Sequence, residues 1–385
     1  MSQLIDSECK ISKFEQIACI ARKIVTASLV ILSMAPALAR AQSSVTLFGS
    51  LDEAIEYLTN SGKTSHSVVQ AAAAEIYANA IGLKGVEDLG GGIKAIFRLE
   101  GGISPNTGAS LQGGRLFGRQ AWVGLQNDNN KVVFGRVYTP LYDVIGYLDP
   151  LQGSNVSLWS MDGGFVSRMD NAVRYTRTDG PFHENLQYSF GSDGIDAPLN
   201  GVAGGEAKSK EYSVAADYTT DQLMAAVVYD YVHGPMTSAQ YGMSLYVPSL
   251  VPAAPVSPER AERLATALRY TWGGTSVFAG YRHLKTEVQG VDHDSNLYWT
   301  GLTERITPAW VATAGVYHER VAGIDARPTL VALQTQYFLS KATGLYANVA
   351  KVWNTKLSDM GVDLQTQTST GAGQLGASIG LFHFF

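Results

Sequence analysis

The chain of 385 residues contains little charge and almost no cysteine. Charged residues make up 16% of it, well below the ~25% that is usual in soluble globular proteins. Its two cysteines, Cys9 and Cys19, lie outside any spaced cluster, which excludes cysteine zinc sites and disulfide frameworks. The net charge of −5 argues against a broad nucleic-acid surface, because such surfaces carry a basic excess. A hydrophobic content of 45% excludes a disordered chain.

Motifs for catalysis and metal binding are also scarce. The seven histidines are scattered without HExxH or paired spacing, so we expect no zinc site and no other cofactor. The stretches GAGQLG (371–376) and GASIG (376–380) match G-x-G-x-x-G and G-x-S-x-G. Both motifs need a following helix, and the chain ends nine residues after Gly376. With 40 glycines in the chain, matches of this kind are expected by chance.

Long apolar runs are absent except for one near the N-terminus. Residues 24–39 read IVTASLVILSMAPALA, follow four basic residues and lead into Ala39-Arg40-Ala41. A basic region, a short apolar stretch and an A-x-A site are typical of a secretory signal peptide. The alternative is a membrane anchor, which needs about 20 apolar residues. We expect residues 1–41 to be a cleaved signal peptide and residues 42–385 to be the mature domain, which has no cysteine.

The mature domain alternates between apolar and polar residues along most of its length. In IKAIFRLE (93–100), Ile93, Phe97 and Leu99 share one face and Arg98 and Glu100 the other. Strict alternation of this kind indicates half-buried β-strands. Sixteen such segments start near residues 45, 76, 93, 115, 131, 171, 185, 211, 222, 263, 275, 296, 309, 329, 344 and 376. Short helical turns are predicted only in connections, at 70–75 and 258–264.

Short and long connections alternate between these segments. The short ones lie at 87–92, 127–130, 178–184, 219–221, 272–275, 306–308 and 339–343. The long ones lie near 59–75, 102–114, 138–170, 191–210, 232–262, 286–295, 321–328 and 354–375. This rhythm is typical of an outer-membrane barrel with short periplasmic turns and long extracellular loops. The sequence therefore predicts an all-β, antiparallel transmembrane barrel of sixteen strands, with both termini on the periplasmic side.

Two stretches of the long connections have a distinctive composition. Asp292-His293-Asp294 is predicted to be a solvated acidic loop tip, with contact to a divalent ion or lipopolysaccharide as the alternative. VPSLVPAAPVSPE (247–259) contains four prolines, which are expected to stiffen a long loop, with a partner-binding motif as the alternative. Tyrosines near the segment ends are expected to form the aromatic girdles of the membrane boundaries. They are Tyr57, Tyr188, Tyr218, Tyr270 and Tyr281.

Several stretches resemble the Gram-negative general porin family, in its β-proteobacterial type. They are QSSVTLFGSLD (42–52), GLKGVEDLGGGIKAIFRLE (82–100), GGRLFGRQAWVGL (113–125), VVFGRVYTPLYD (132–143), NAVRYT (171–176) and the terminal GLFHFF (380–385). The resemblance implies a homotrimer of sixteen-stranded barrels in the bacterial outer membrane, in contact with lipid and lipopolysaccharide. It also implies that the third long loop folds into the lumen, and that the C-terminal Phe385 marks the chain for membrane assembly.

The chain departs from this family at positions that bear on pore charge. Where relatives often carry an arginine in strand two, this chain has Ala80 and Lys84. Where their last strand usually carries basic residues, it has Phe382 and Phe384. Glu53 falls on the face assigned to lipid. The sign of the ion selectivity is therefore not predicted from the sequence.

Charged residues in and beside the third long loop are the candidates for the pore constriction, because charged rings and pore width set selectivity. The basic wall is predicted to consist of Arg98, Arg119, Arg136 and Arg174. The acidic side is predicted to consist of Glu100, Asp143, Asp149 and Asp162. Alternation supports an inward orientation for Arg98, Glu100 and Arg174. It leaves Arg119 ambiguous, because Ala121, Val123 and Leu125 share its parity.

These observations predict a passive diffusion channel for small hydrophilic solutes and ions, with no enzymatic activity. One alternative is a channel selective for an anion or a small organic acid. A second, from another class, is an outer-membrane barrel enzyme, which would carry Ser/His/Asp residues at its rim and usually fewer strands. A third is a structural or adhesive barrel whose lumen is plugged.

Overall fold

The structure is a computed structural model that describes residues 43–62, 66–166, 168–192, 209–234, 260–288, 290–363 and 366–385. The predicted signal peptide (1–41) and the proline-rich stretch 247–259 lie outside the described residues. Residues Ser43–Phe385 form one compact unit. Among the described residues, no helix is long and apolar enough to cross a membrane.

Seventeen antiparallel β-segments make up the fold. They are β1 (Ser44–Ser61), β2 (His66–Ala73), β3 (Ala80–Gly90), β4 (Ile93–Gly102), β5 (Gln120–Gln126), β6 (Asn130–Tyr138), β7 (Arg168–Asp179), β8 (Phe182–Ser192), β9 (Ser209–Thr219), β10 (Leu223–His233), β11 (Arg260–Trp272), β12 (Thr275–Val288), β13 (Val291–Thr307), β14 (Trp310–Val321), β15 (Thr329–Phe338), β16 (Thr343–Trp353) and β17 (Gln374–Phe384). From β3 to β17 each strand pairs with the next, and β17 pairs back onto β1, which closes the barrel.

The segments β2 and β3 together occupy one position in the barrel wall. β2 pairs with residues 53–61 of β1, whereas β3 pairs with residues 44–50 of the same strand. Between them, residues 74–79 leave the wall, and we call this segment the inward break. The seventeen segments therefore form a sixteen-position barrel, which confirms the predicted fold class and strand number.

The barrel wall carries apolar residues on its outer face and polar residues on its inner face, which is the reverse of a soluble protein. In β11 the apolar Leu264 and Leu268 are exposed on the outside, whereas Arg263 is buried on the inside. In β1 the outward Ile55 is 63% exposed and the inward Glu56 only 2%. An apolar outer face is expected where the wall faces lipid, with polar residues turned to the lumen. The alternation therefore predicts correctly which residues point outward.

Several predicted connections are strands in the structure. Residues 59–75 do not form a long loop, because β1 continues to Ser61 and β2 fills 66–73. The predicted helical turns at 70–75 and 258–264 are wrong, since their described residues lie mainly in β2 and β11. The connection at 286–295 is also much shorter than predicted, because β12 reaches Val288 and β13 starts at Val291.

The acidic stretch 292–294 likewise lies in β13 rather than at a loop tip. Asp292 forms ion pairs with Lys285 of the neighbouring strand β12 (3.1 Å) and with Arg260 of β11, one strand further (2.9 Å). Asp294 lies 3.6 Å from His283 of β12. Pairs of opposite charge between strands of one sheet stabilise that sheet.

The third long connection, described for residues 139–166, folds into the barrel as predicted, and we call it the third loop. It contains a π-helical turn (Leu141–Ile145), 3₁₀ turns (Gly146–Leu148 and Gly163–Val166) and the short helix α1 (Leu158–Met161). Its apolar residues form one cluster with the inner faces of β10–β16. Trp299 of β13 also donates a hydrogen bond to the carbonyl oxygen of Leu148 at 3.0 Å. Burial of this apolar face holds the loop against one side of the lumen.

Candidate functional site

Two of the predicted wall arginines converge on one predicted acid near the end of β4. Arg98 lies 2.7 Å and Arg119 2.5 Å from the carboxylate of Glu100. Arg98 is the more open of the two, with 32% of its side chain exposed against 10% for Arg119. Glu100 therefore lies among the arginines and not opposite them. Arg119 directly precedes β5, so the parity of that strand does not apply to it.

Asp170 of β7 is a second acid held by arginines of the wall. Arg115 approaches it at 2.9 Å, and Arg136 forms an ion pair with the same oxygen. Arg136 also donates to the backbone oxygen of Gly118 at 2.7 Å. This arrangement fixes the direction of Arg136 and ties the end of the second long connection to β6 and β7.

The contact between Arg174 and Asp143 joins the wall to the third loop. Arg174 of β7 forms an ion pair with Asp143 and donates to Asn185 at 3.3 Å. The side chain of Asp143 remains 38% exposed. Asp143 is thus the predicted loop acid that keeps open surface toward the lumen.

The other two predicted loop acids, Asp149 and Asp162, have no exposed surface. Asp149 accepts a hydrogen bond from the hydroxyl of Tyr317 at 2.5 Å. Burial raises the pKa of Asp149, although that hydrogen bond opposes the shift. The structure does not place these two carboxylates on the channel surface, where the sequence predicted them, because both point into the barrel wall.

Asp162 is clamped by two arginines that the sequence analysis did not single out. Arg263 of β11 and Arg282 of β12 each approach it at 3.0 Å. Arg282 also contacts Glu319 of β14 at 2.8 Å, and all four side chains are at most 1% exposed. Burial by itself raises the pKa of Asp162, but the two guanidinium groups outweigh it and hold the pKa below its ordinary value.

An aromatic stack was also missed by the sequence analysis. Tyr138 at the end of β6 stacks on Tyr142, with ring centroids 3.8 Å apart, and Tyr142 stacks on Trp159 at 5.1 Å. The guanidinium groups of Arg119 and Arg168 lie 5.6 and 4.7 Å from the Tyr138 ring. These are cation–π distances, so the stack supports both the loop and the arginines.

The inward break is held by a buried carboxylate of the first strand. Asp52 accepts hydrogen bonds from the backbone amides of Ile76 and Tyr77 at 2.7 Å each, and from the hydroxyl of Tyr346 at 2.5 Å. The side-chain oxygen of Asn79 accepts a hydrogen bond from the backbone amide of Asp52 at 2.6 Å. The side-chain amide of Asn79 donates one to the carbonyl oxygen of Asp52 at 3.0 Å. These bonds satisfy polar groups that would otherwise be unpaired where the ladder is interrupted.

Three aromatic rings pack together on the inward side of the wall beside this break. Tyr77 lies 4.8 Å from Phe382 and 4.9 Å from Phe384, both edge-to-face. Its hydroxyl donates to Gln336 at 2.9 Å. Phe382 is fully buried and Phe384 is partly buried. The inward side of β17 is therefore apolar at this end of the barrel.

The C-terminal residue pairs with the first strand. Phe385 and Gly49 exchange backbone hydrogen bonds of 2.9 and 3.1 Å. A Cβ atom on Gly49 would collide with the Phe385 ring, so glycine is required for this close approach. The ring of Phe385 is 48% exposed on the outside.

The region between the third loop and the β4–β7 wall carries excess positive charge. Six arginines gather there with three acids, Glu100, Asp143 and Asp170. The arginines are Arg98, Arg115, Arg119, Arg136, Arg168 and Arg174. Their burial and mutual pairing hold the side chains in fixed positions. Such a lining exerts a directional field on a solute.

Comparisons with a family model and with known proteins identify the same family. The family model described as Gram-negative porin matches residues 26–357. An outer membrane porin protein of Bordetella pertussis is 28% identical over 367 residues, covering 85% of this chain and 95% of the relative. Outer membrane porin protein 32 of Delftia acidovorans is 26% identical over 369 residues, covering 90% of this chain and 95% of the relative.

A solved structure shares the fold. The anion-selective porin from Comamonas acidovorans superposes with a TM-score of 0.75 at 22% sequence identity. The alignment covers 89% of this chain and all of that chain. At this level of identity the likeness concerns the barrel and not its specificity.

Proposed function

Because the chain belongs to the Gram-negative porin family and is a diffusion channel of the bacterial outer membrane, we propose that its constriction lies between the third loop and the β4–β7 wall. The observation that carries this proposal is the ion pair between Arg174 and Asp143, where wall and loop meet. Asp143 keeps exposed surface at this contact, so a passing solute meets both charges.

The charged lining of this constriction includes the four predicted arginines and two of the four predicted acids. Arg98, Arg119, Arg136 and Arg174 form the basic wall, and Glu100 and Asp143 provide the acids. Asp149 and Asp162 act instead as anchors of the third loop, because both are fully buried. A loop anchored in this way keeps the width of the passage constant, which is what a passive channel requires.

The channel passes small hydrophilic solutes and prefers anions. Six arginines against three acids leave a net positive charge beside the passage, which raises the local concentration of anions. A relative of the same fold carries the description anion-selective. A channel dedicated to one organic acid would bind that solute, whereas a general channel conducts without saturation.

Single-channel recording of the purified protein in planar bilayers tests this proposal. We expect an ohmic current that does not saturate with salt concentration, and a reversal potential in a KCl gradient that favours Cl⁻. Current blocked by one small organic acid would indicate the selective channel instead. Absence of solute flux into liposomes would indicate a plugged barrel.

We also propose that the protein is a homotrimer that catalyses no reaction. Among the described residues, β2 pairs only with β1, so its other edge is open. A second copy of the chain would cover this edge, since an unpaired strand edge is costly next to lipid. The glycine motifs at 371–376 and 376–380 end in β17 and precede no described helix. Cross-linking of the native protein tests the trimer.

The remaining proposals concern export and surroundings. Residues 1–41 are a signal peptide, and N-terminal sequencing of the mature protein is expected to start at Gln42. Lipid and lipopolysaccharide surround the apolar outer wall, which includes the exposed Leu264, Leu333 and Ile379. Tyr57, Tyr188 and Tyr270 are exposed on the same side, and we assign them to the aromatic girdles.

A further inference from the structure

Three buried carboxylates from distant parts of the sequence meet near the long-loop end of the barrel. Glu56 belongs to β1, Glu75 to the inward break and Asp363 to the connection between β16 and β17. One carboxylate oxygen of each lies within 4.8 Å of the others. Their exposed fractions are 2%, 1% and 7%. We call these residues the carboxylate cluster.

The side chain of Glu75 lacks a partner for one of its oxygens. Its Oε1 atom is buried and accepts no hydrogen bond from any described residue. Its Oε2 atom has only a long contact of 3.4 Å with the hydroxyl of Ser378. The charged groups with the largest effect on Glu75 are Asp363, Glu56 and Asp52, which are all acids. A buried carboxylate among like charges is costly unless a cation balances it.

Water reaches the cluster through a cavity. A cavity of about 770 Å³ is lined by Glu75 and Asp363, and also by Gln70, Asn155 and Thr366. Gln70 donates to Glu56 at 2.9 Å, which leaves the other oxygen of Glu56 available. The amide and hydroxyl groups around the cavity offer neutral oxygen atoms beside the charged ones. An ion could therefore enter with part of its hydration shell.

We propose that Glu56, Glu75 and Asp363 bind one divalent cation, and that the cation is Ca²⁺. An all-oxygen set of carboxylates is the donor type that Ca²⁺ and Mg²⁺ prefer. The three carboxylates come from three separate segments of the chain. Such a set suits the flexible coordination of Ca²⁺ by six to eight oxygen ligands better than the near-ideal octahedron that Mg²⁺ demands.

Binding would tie β1, the inward break and the β16–β17 connection together through their side chains, in addition to the backbone bonds between them. Glu75 is also the residue whose carbonyl oxygen accepts the backbone amide of Asn155 in the third loop, at 2.8 Å. The ion therefore fixes the inward break beneath the tip of that loop. Its site is separate from the arginines of the proposed constriction, so binding is measurable whether or not the channel conducts as proposed.

Calcium titration of the native protein tests the proposal, with isothermal calorimetry after EDTA treatment and dialysis. We expect one Ca²⁺ per chain, a higher thermal unfolding midpoint with Ca²⁺ than with EDTA, and weaker binding of Mg²⁺. Glu75→Gln and Asp363→Asn are expected to lower the Ca²⁺ affinity by at least about tenfold. Both variants remove a charge from a repulsive cluster, so folding without metal is expected to persist.

Two control variants make the result specific. Asp128→Asn removes an exposed carboxylate in a short turn, and Glu211→Gln removes a buried one that lies close to Asp230. Both are expected to bind Ca²⁺ like the wild type. The proposal is overturned if the wild type binds no Ca²⁺, which would mean that protons alone neutralise the cluster. It is equally overturned if Glu75→Gln and Asp363→Asn bind Ca²⁺ as tightly as the controls.

Discussion

Asp162 of the third loop accepts two hydrogen bonds from Arg263 of β11, at 3.0 and 3.1 Å, across 101 positions of the chain. Neither side chain is more than 1% exposed. The loop is thus attached to the far wall by a buried charge pair, to which Arg282 adds a second guanidinium. The same contact fixes how far the loop reaches across the lumen.

Asp162→Asn is expected to destabilise the barrel and loosen the third loop. Removing one partner of a buried ion pair typically costs about 3–5 kcal/mol, because the remaining charge loses its compensation. The unfolding midpoint in detergent should fall, and single-channel currents should become larger and noisier. Asp143→Asn is the matched control, since that loop acid is partly exposed and has one arginine partner. Equal stability of the two variants would contradict the anchoring role.

Acid should weaken the same anchor only below the ordinary pKa of aspartate. The pKa of Asp162 is lowered from 3.8, so this group stabilises the fold above that pH. The contribution is lost as the pH falls through the lowered value. Channel recordings between pH 7 and pH 3 are expected to show a steady third loop down to about pH 4. Asp162→Asn removes this carboxyl group, so the loss of stability that its protonation causes should be absent in that variant.

Removing charge from the wall arginines is expected to shift ion preference toward cations. A unit charge 4 Å from a passing ion contributes about 1 kcal/mol in a water-like medium. The population of each ion in the passage should therefore change by up to about fivefold, downward for chloride and upward for potassium, so the chloride-to-potassium permeability ratio should fall. Among Arg98→Gln, Arg119→Gln and Arg174→Gln, the first should have the largest effect, because Arg98 is the most exposed.

Reversal potentials in a KCl gradient measure this change. Arg177→Gln is the control, because Arg177 is exposed near the end of β7 and pairs with Asp179. If none of the three wall variants changes the permeability ratio relative to this control, the constriction lies elsewhere.

Shortening Phe384 is expected to widen the passage beside β17. Phe384→Ala should raise the conductance, with a smaller loss of stability than the about 3–5 kcal/mol of a fully buried phenylalanine. Phe382→Ala is the paired variant, because Phe382 is completely buried and should show the full loss. Phe134→Ala, on the exposed outer face, should leave the conductance unchanged.

Changing the last residue tests its predicted role in assembly. Phe385→Ala should lower the amount of folded protein in the outer membrane, while the protein refolded in detergent keeps most of its stability. The second expectation follows from the geometry, since the backbone bonds to Gly49 do not need the ring. Membrane fractionation and thermal unfolding measure the two effects. A variant that reaches the membrane at the wild-type level would contradict the role.

Much of the wall could be predicted because its physical basis is local. A strand with lipid on one side and the lumen on the other alternates between apolar and polar residues with a period of two, as β11 and β15 do. The prediction failed where residue types contradict their position. QAAAAE at 70–75 has few strand-forming residues, but most of it pairs with β1. Asp292 resembles a loop residue, but Arg260 and Lys285 hold it in a ladder.

The roles of the loop acids could not be predicted from local sequence. Asp143, Asp149 and Asp162 are similar residues within one connection, and their partners lie on β7, β14, β11 and β12. Which acid is exposed depends on how the loop crosses the lumen. A signal did exist for Arg263 and Arg282, because a charged residue on the inward parity of a strand needs a partner inside the barrel.

The pairing of β1 with β17 has a consequence for how the barrel is made. This seam joins residues 50–58 to residues 376–384, so one edge of the first strand stays unpaired until the last strand is in place. Until then two strand edges are open, and a membrane tolerates neither. A partly inserted barrel therefore has no stable state, and its insertion requires a factor that shields both edges until the seam closes.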